Sequence, residues 1–165
     1  MLNKNNVNSE IDLYYPMKKW LYIYLMNKYK NYDIITVDSH NERLDKALFK
    51  LNIYKEEAIG VDIKIDILGI AKKKEDVKLF FIEAKKNSLT LRDLGQLYIY
   101  SKLINPEEAF LMSSHNLGSL NKLLNVLNRE DLLDYGNNKI IKKIKVAIWD
   151  INSNSPNFFS MVPKF

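Results

Sequence analysis

The pattern of apolar and polar residues predicts alternating helices and strands along this chain. Apolar residues recur at helical spacing over residues 10–30, and Ser9 is placed to cap this first helix. A β-branched run at residues 33–37 predicts a short strand, and residues 42–51 have the pattern of a second helix. The first third of the chain therefore predicts the order helix, strand, helix.

The middle of the chain has the pattern of a β-hairpin. Residues 59–71 alternate between apolar and polar side chains, and residues 78–84 form a second apolar run. The charged segment 72–76 separates the two runs and predicts the hairpin turn. The remaining predicted elements are a helix capped by Ser88 or Thr90 and ending near Ile104, a buried strand at 109–112, a helix at 117–127, a turn at 135–138 and a strand at 145–151.

These elements predict an α/β protein with a mixed β-sheet flanked by helices. A chain of 165 residues is long enough to bury one hydrophobic core, and no linker or repeat divides it. We therefore expect one domain over residues 1–165, with flexible tails at residues 1–9 and 156–165.

Composition narrows the chemistry that this domain can perform. The chain has no cysteine and only His40 and His115, so disulfides and thiolate metal sites are excluded and no role is assigned to either histidine. The net charge of +5 comes mainly from lysine, which suits contact with phosphate better than bidentate reading of bases. The longest apolar run, residues 20–26, is too short to span a membrane, so we expect a soluble cytoplasmic protein without a membrane partner.

Charged residues interrupt the apolar runs of the predicted hairpin, and three of them are the candidate site residues. Asp66 belongs to the first run, and Glu83 and Lys85 belong to the second. Burying a carboxylate costs several kcal/mol unless it is paired or binds a cation. These residues therefore predict a site, and Mg²⁺ is the expected cation, with Mn²⁺ as a substitute.

Strand geometry predicts how these side chains meet. Side chains alternate between the two faces of a strand. Asp62, Lys64 and Asp66 therefore share one face of the first strand, and Glu83 and Lys85 share one face of the second strand. Across a hairpin, Asp66 and Glu83 converge on one ion, with Lys85 one pleat further along. Asp62 is the alternative ligand, and Asp66 is preferred because Asp62 lies nearer to the start of the strand.

Such a cluster suits the cleavage of a phosphodiester bond. Two carboxylates and a main-chain carbonyl hold Mg²⁺ with open water positions, and the metal polarises the phosphate and acidifies a water. Lys85 orients that water or offsets the developing charge. Burial lowers the pKa of a lysine and neighbouring carboxylates raise it, so the sequence leaves open whether Lys85 is a base or a charge stabiliser.

The order of these residues resembles the PD-(D/E)xK nuclease superfamily. Asp66 is followed by Glu83-Ala84-Lys85 and then by Gln96 in the next predicted helix. Residues 94–98 are similar to the glutamine motif of the RecB-type branch of that superfamily. The resemblance covers roughly residues 59–112.

The resemblance implies a fold and a set of roles. The fold is restriction-endonuclease-like, with an αβββαβ-type core around a mixed central sheet. Asp66 and Glu83 would bind the metal, Lys85 would be catalytic and Gln96 would help to orient the site. Glu10, in the first helix, would complete the metal shell.

Nucleic acid, and DNA in particular, is the expected partner. Lys86 lies beside the predicted centre and is the first candidate for a phosphate contact. Lys72, Lys73 and Lys74 at the hairpin turn are further candidates, although a charged turn is often only solvated. The aromatic residues of the first helix suit a core or an interface, and a homodimer would cut two strands at symmetric positions.

Two hypotheses of different classes follow. The first is a Mg²⁺-dependent endonuclease or exonuclease acting on DNA, of a structure-specific, repair, recombination or restriction type. The second is a catalytically inactive nuclease-fold module that acts in nucleic-acid binding or assembly. A separate structural alternative is that Asp66 and Lys85 form only a cross-strand ion pair on a solvated face of the sheet. An enzyme for small phosphoesters lacks support, because the chain has only five glycines and no glycine-rich phosphate loop.

Overall fold

A computed structural model describes residues 7–164, so residues 1–6 of the expected N-terminal tail and Phe165 lie outside the described part. Within residues 7–164 the helices are α1 (Ile11–Lys28), α2 (Leu44–Lys50), α3 (Leu91–Ile104) and α4 (Ser119–Asn121), the last continuing as a π-helical turn, Lys122–Val126. The strands are β1 (Asp33–Asp38), β2 (Ile67–Lys73), β3 (Asp76–Lys85), β4 (Glu108–Ser113), β5 (Asp134–Gly136), β6 (Ile141–Lys143), β7 (Lys145–Asp150) and β8 (Ser155–Val162). Short 3-10 helices occupy Glu56–Ala58 and Glu130–Leu133.

In the described residues, six strands form one mixed sheet in the order β1, β2, β3, β4, β7, β8. The pairs β1/β2, β2/β3 and β7/β8 are antiparallel, whereas β3/β4 and β4/β7 are parallel. The parallel connection between β3 and β4 needs a crossover, which α3 supplies. The expected α/β fold with a mixed sheet and flanking helices is confirmed at this level.

Helices cover the sheet on both faces. On one face, α1 packs its buried residues against β2, β3 and β4, and Phe80 belongs to this cluster. On the other face, α2, α3 and α4 enclose a second cluster that includes Phe81. Gly69 lets α1 approach the sheet, because an added Cβ would lie 2.8 Å from Leu21 Cδ2. No helix among residues 7–164 combines the length and the hydrophobicity needed to cross a bilayer.

Several predicted elements differ from the structure. The strand predicted at residues 59–71 starts only at Ile67, because carbonyls before it accept hydrogen bonds from outside the sheet. Ile63 O accepts from the Leu44 amide at 2.7 Å, and Asp66 O accepts from the Ser39 amide at 3.0 Å. The cap of α1 is Glu10 rather than Ser9, whose amide donates to Asp12 Oδ2 at 3.0 Å. At α3, Thr90 and not Ser88 is the cap.

The C-terminal part also differs from the prediction. Residues 156–162, part of the segment 156–165 that was expected to be a flexible tail, form most of β8, which pairs with β7 and buries Met161 and Val162. The turn predicted at residues 135–138 lies within a small hairpin of β5 and β6. The strand β8 and the β5–β6 hairpin each depend on a pairing that the local sequence pattern does not reveal.

Candidate functional site

Asp66 lies immediately before β2, and both oxygens of its carboxylate accept hydrogen bonds. Its Oδ2 accepts a hydrogen bond from the Ala84 amide at 2.9 Å, and its Oδ1 accepts one from the Tyr14 hydroxyl at 3.2 Å. Its backbone carbonyl accepts from the Ser39 amide at 3.0 Å. The carboxylate is therefore fixed between α1 and β3.

Glu83 and Lys85 project from the same face of β3, as the alternation of a strand requires. Ile67 pairs with Ile82, so the next position outward along the hairpin brings Asp66 to Glu83. The Glu83 side chain is 5 % exposed, and Lys85 Nζ donates to its Oε1 at 2.9 Å. The structure thus brings Asp66, Glu83 and Lys85 together, as the sequence predicted.

The two carboxylates are electrostatically unfavourable in this position without a cation. Burial and the neighbouring Asp66 carboxylate raise the pKa of Glu83 to about 7. Burial also raises the pKa of Asp66, against the opposing effects of the Ala84 amide and Lys85. A bound cation would offset this cost, which is the chemistry of a hard-metal site.

Lys85 stays protonated in this arrangement. Burial by itself lowers the pKa of Lys85, but the Glu83 carboxylate and its hydrogen bond outweigh burial, so the pKa lies above its ordinary value. An ammonium with a raised pKa is a poor base near neutral pH. Its geometry favours a role in offsetting negative charge.

Gln96 lies on α3, in the cluster of helices that covers the same face as Glu83. The residue is exposed, and its side chain lies near Tyr100, one turn later in the helix, where it acts to lower the pKa of that tyrosine. Burial and the nearby Glu83 carboxylate raise the pKa of Tyr100, which also accepts a hydrogen bond from the Lys64 amide. Tyr100 therefore connects Gln96 to the rim of the site.

Glu10 lies at the N-terminal cap of α1, close enough to act electrostatically on the site. After the larger effect of burial, its carboxylate contributes to the raised pKa of Asp66 and of Glu83. The structure therefore places Glu10 beside the predicted centre. Asp62, the alternative ligand, is exposed on the irregular segment before β2.

The candidate phosphate-binding lysines lie in two separate places. Lys86 directly follows β3, and its Nζ donates to the Asn8 carbonyl at 2.8 Å. Lys72, Lys73 and Lys74 lie at the other end of β2, about 20 Å from Asp66 at about 3.3 Å per residue. Lys72 and Lys74 line a depression of about 490 Å³ there, and Lys73 lies over the Tyr32 ring.

Sequence reasoning missed Tyr14, although helical spacing contained the signal. Tyr14 is four residues after Glu10 and so lies on the same side of α1. His40, to which no role was assigned, packs its ring against Tyr14 with a centroid distance of 4.7 Å. Nothing in the local sequence around His40 indicates this contact.

The donor set fits Mg²⁺ better than a transition metal. In the part of the chain that the structure describes, no group of three or more His, Asp or Glu side chains is arranged to hold a metal. Mg²⁺ commonly binds through one or two carboxylates and keeps several waters, and Asp66 and Glu83 can supply those two carboxylates.

Comparison with models of known families, with characterised proteins and with solved structures gave no match to this chain.

Proposed function

We propose that this protein is a Mg²⁺-dependent nuclease with a restriction-endonuclease-like fold that hydrolyses phosphodiester bonds of DNA. The observation that supports this proposal best is the pairing of the buried Glu83 with the half-buried Asp66 at the open end of the β2–β3 hairpin, with Lys85 hydrogen-bonded to Glu83. A carboxylate pair whose pKa values are raised by burial favours a cation-binding role over a structural one.

Each residue then has a role that follows from its contacts. Asp66 and Glu83 would hold Mg²⁺, which when bound polarises the phosphate and lowers the pKa of the attacking water. The Lys85 ammonium offsets the negative charge that grows on the phosphate in the transition state. Gln96 and Tyr100 border the site from α3. Lys86, whose Nζ donates to the Asn8 carbonyl in this structure, would exchange that contact for a neighbouring phosphate of the substrate.

The test is cleavage of labelled linear duplex, single strand, flap, four-way junction and RNA with Mg²⁺ or Mn²⁺. Wild type is compared with Glu83→Gln and Lys85→Met, and Ca²⁺ and chelator serve as metal controls. Glu108→Gln is the matched control, because Glu108 is also a buried carboxylate paired with a lysine but lies outside the site. Glu108 is at the start of β4 beside Phe80, whereas Glu83 lies beside Leu111 further along β4. We expect metal-dependent cleavage that Glu83→Gln and Lys85→Met each reduce at least a hundredfold and that Glu108→Gln leaves intact.

If the protein cleaves RNA and not DNA, RNA is its substrate, and the assignment of the catalytic site is unchanged. Binding of nucleic acid that is equal in Mg²⁺ and in chelator, without cleavage in any condition, would support the inactive binding module instead. The oligomeric state in the same samples, measured by light scattering, tests the expected homodimer, for which the exposed Tyr15 and Tyr22 of α1 are candidate contacts.

A further inference from the structure

Tyr14 contacts the carboxylate at the centre of the proposed site. Its hydroxyl donates to Asp66 Oδ1 at 3.2 Å, while the Ala84 amide donates to Oδ2 at 2.9 Å. Each oxygen of Asp66 thus has one donor, and an ionised carboxylate has about four lone-pair positions, so acceptor capacity is left for a cation. The two donors fix the rotation of the carboxylate plane.

The ring of Tyr14 is itself held in place. The side chain is buried, with the residue 6 % exposed, and the His40 ring packs against it at 4.7 Å. His40 Nδ1 is hydrogen-bonded to Asp38 Oδ1 at the end of β1. The intervening Ser39 donates its amide to the Asp66 carbonyl. The segment 38–40 therefore supports both the tyrosine and the aspartate.

We propose that Tyr14 is a positioning residue that orients Asp66 for binding a divalent cation, an inference that rests on the proposed function. Partners that hydrogen-bond to a metal ligand fix its orientation, and their removal typically lowers metal affinity or activity by 10- to 100-fold. A phenol hydroxyl is protonated at neutral pH, so in this geometry it donates to Asp66 Oδ1 and leaves the other lone pairs of the carboxylate for a cation. Tyr14 acts through Asp66 and has no role in the chemical step.

The structure supplies a matched control on the same helix. Tyr24 also lies on α1, and its hydroxyl donates to a buried carboxylate, Glu108 Oε1, at 2.8 Å. Tyr14→Phe and Tyr24→Phe each remove a hydroxyl that donates to a carboxylate and keep the ring, although the Tyr24 hydroxyl also accepts a hydrogen bond from Lys28 Nζ at 3.2 Å. They differ in whether that carboxylate belongs to the proposed metal site.

The experiment measures binding of Mn²⁺ alone to metal-free protein by electron paramagnetic resonance, with thermal unfolding as a check that each variant is folded. We expect Tyr14→Phe to raise the dissociation constant for Mn²⁺ about tenfold. Tyr24→Phe should leave it unchanged. In cleavage assays, Tyr14→Phe should raise the metal concentration for half-maximal rate, while saturating metal restores the maximal rate.

Two results would overturn the positioning role while leaving the proposed function in place. The first is equal Mn²⁺ affinity in wild type and folded Tyr14→Phe. The second is a loss of rate in Tyr14→Phe that saturating metal does not restore, which would place Tyr14 at the reacting atoms. Wild-type protein that binds no Mn²⁺ and cleaves nothing would instead overturn the proposed function, and the inference with it.

Discussion

Asp66 and Ala84 are joined by a hydrogen bond in which the Ala84 amide donates to Asp66 Oδ2 at 2.9 Å. Ala84 lies between Glu83 and Lys85 in β3, so the aspartate holds the backbone that carries both charged side chains. The carboxylate thus contributes to the geometry of the site as well as to its charge. A substitution at Asp66 is therefore expected to disturb the backbone of β3 as well as the charge of the site, whereas a substitution at Glu83 changes mainly the charge.

The raised pKa of Glu83 predicts a pH-dependent stability of the metal-free protein. Burial and Asp66 raise this pKa from 4.5 to about 7, so the folded state binds the proton more tightly than the unfolded state. The contribution of Glu83 to stability is therefore complete below about pH 4.5 and is lost as the pH rises to about 7. In chelator at pH 8, Glu83→Gln should be more stable than wild type by roughly 1 to 3 kcal/mol.

Denaturant unfolding of both proteins between pH 4 and pH 8 measures this difference. The two stability curves should converge near pH 4 and separate as the pH increases. A wild-type stability that runs parallel to that of Glu83→Gln across the range would contradict the raised pKa of Glu83 in the folded protein.

The second buried glutamate should matter for stability and not for cleavage. Glu108 accepts a hydrogen bond from Tyr24 and forms ion pairs with Lys28 and Lys145. Burial alone would raise the pKa of Glu108, but these cations hold it below its ordinary value. Glu108→Gln should cost about 2 kcal/mol, because both lysines lose a charged partner in a partly buried site. Equilibrium unfolding measures the cost, and a fall in cleavage beyond the unfolded fraction would disagree with a purely structural role.

Two glycines should respond in opposite ways to alanine. At Gly69 an added Cβ would lie 2.8 Å from Leu21 Cδ2 and 3.1 Å from Phe80 Cβ, so the Leu21 side chain must shift and β3 must give way slightly at Phe80. Gly69→Ala should destabilise the protein by about 1 to 3 kcal/mol. At Gly95 in α3 nothing lies within 4 Å, so Gly95→Ala should stabilise it by about 0.5 to 1 kcal/mol through helix propensity. Thermal unfolding of Gly69→Ala and Gly95→Ala measures the change in melting temperature of each variant. Equal changes in the two variants would contradict the close packing of α1 on β2.

The separated lysines predict a dependence on substrate length. Lys86 lies beside the site, whereas Lys72 and Lys74 lie about 20 Å away. Lys86→Gln should weaken binding of short and long duplexes alike and reduce the salt dependence of binding by about one phosphate contact. The double change Lys72→Gln with Lys74→Gln should affect only duplexes long enough to reach the hairpin turn. Binding titrations at several salt concentrations test this, and equal effects on short and long duplexes would contradict the separation.

The sequence by itself determined the elements whose signals are local. Helical spacing located α1, helical spacing with the Thr90 cap located α3, and the apolar runs located β3 and β4, because side-chain periodicity and caps depend only on near neighbours. The charged positions Asp66, Glu83 and Lys85 stood out for the same reason, since charge within an apolar run needs compensation. Their proximity followed from the hairpin, which the short charged segment between the runs predicted.

Only the tertiary structure decided what depends on distant partners. The segment before Ile67 alternates like a strand, with Ile63 and Ile65 buried, but its backbone bonds to residues near α2 and β1 in place of a ladder. The strand β8 forms because β7 offers an open edge, and Tyr14 reaches Asp66 because α1 crosses the sheet there. Hydrogen bonds between residues far apart in the chain leave no periodic signal, so local pattern can find charged residues but not the groups that orient them.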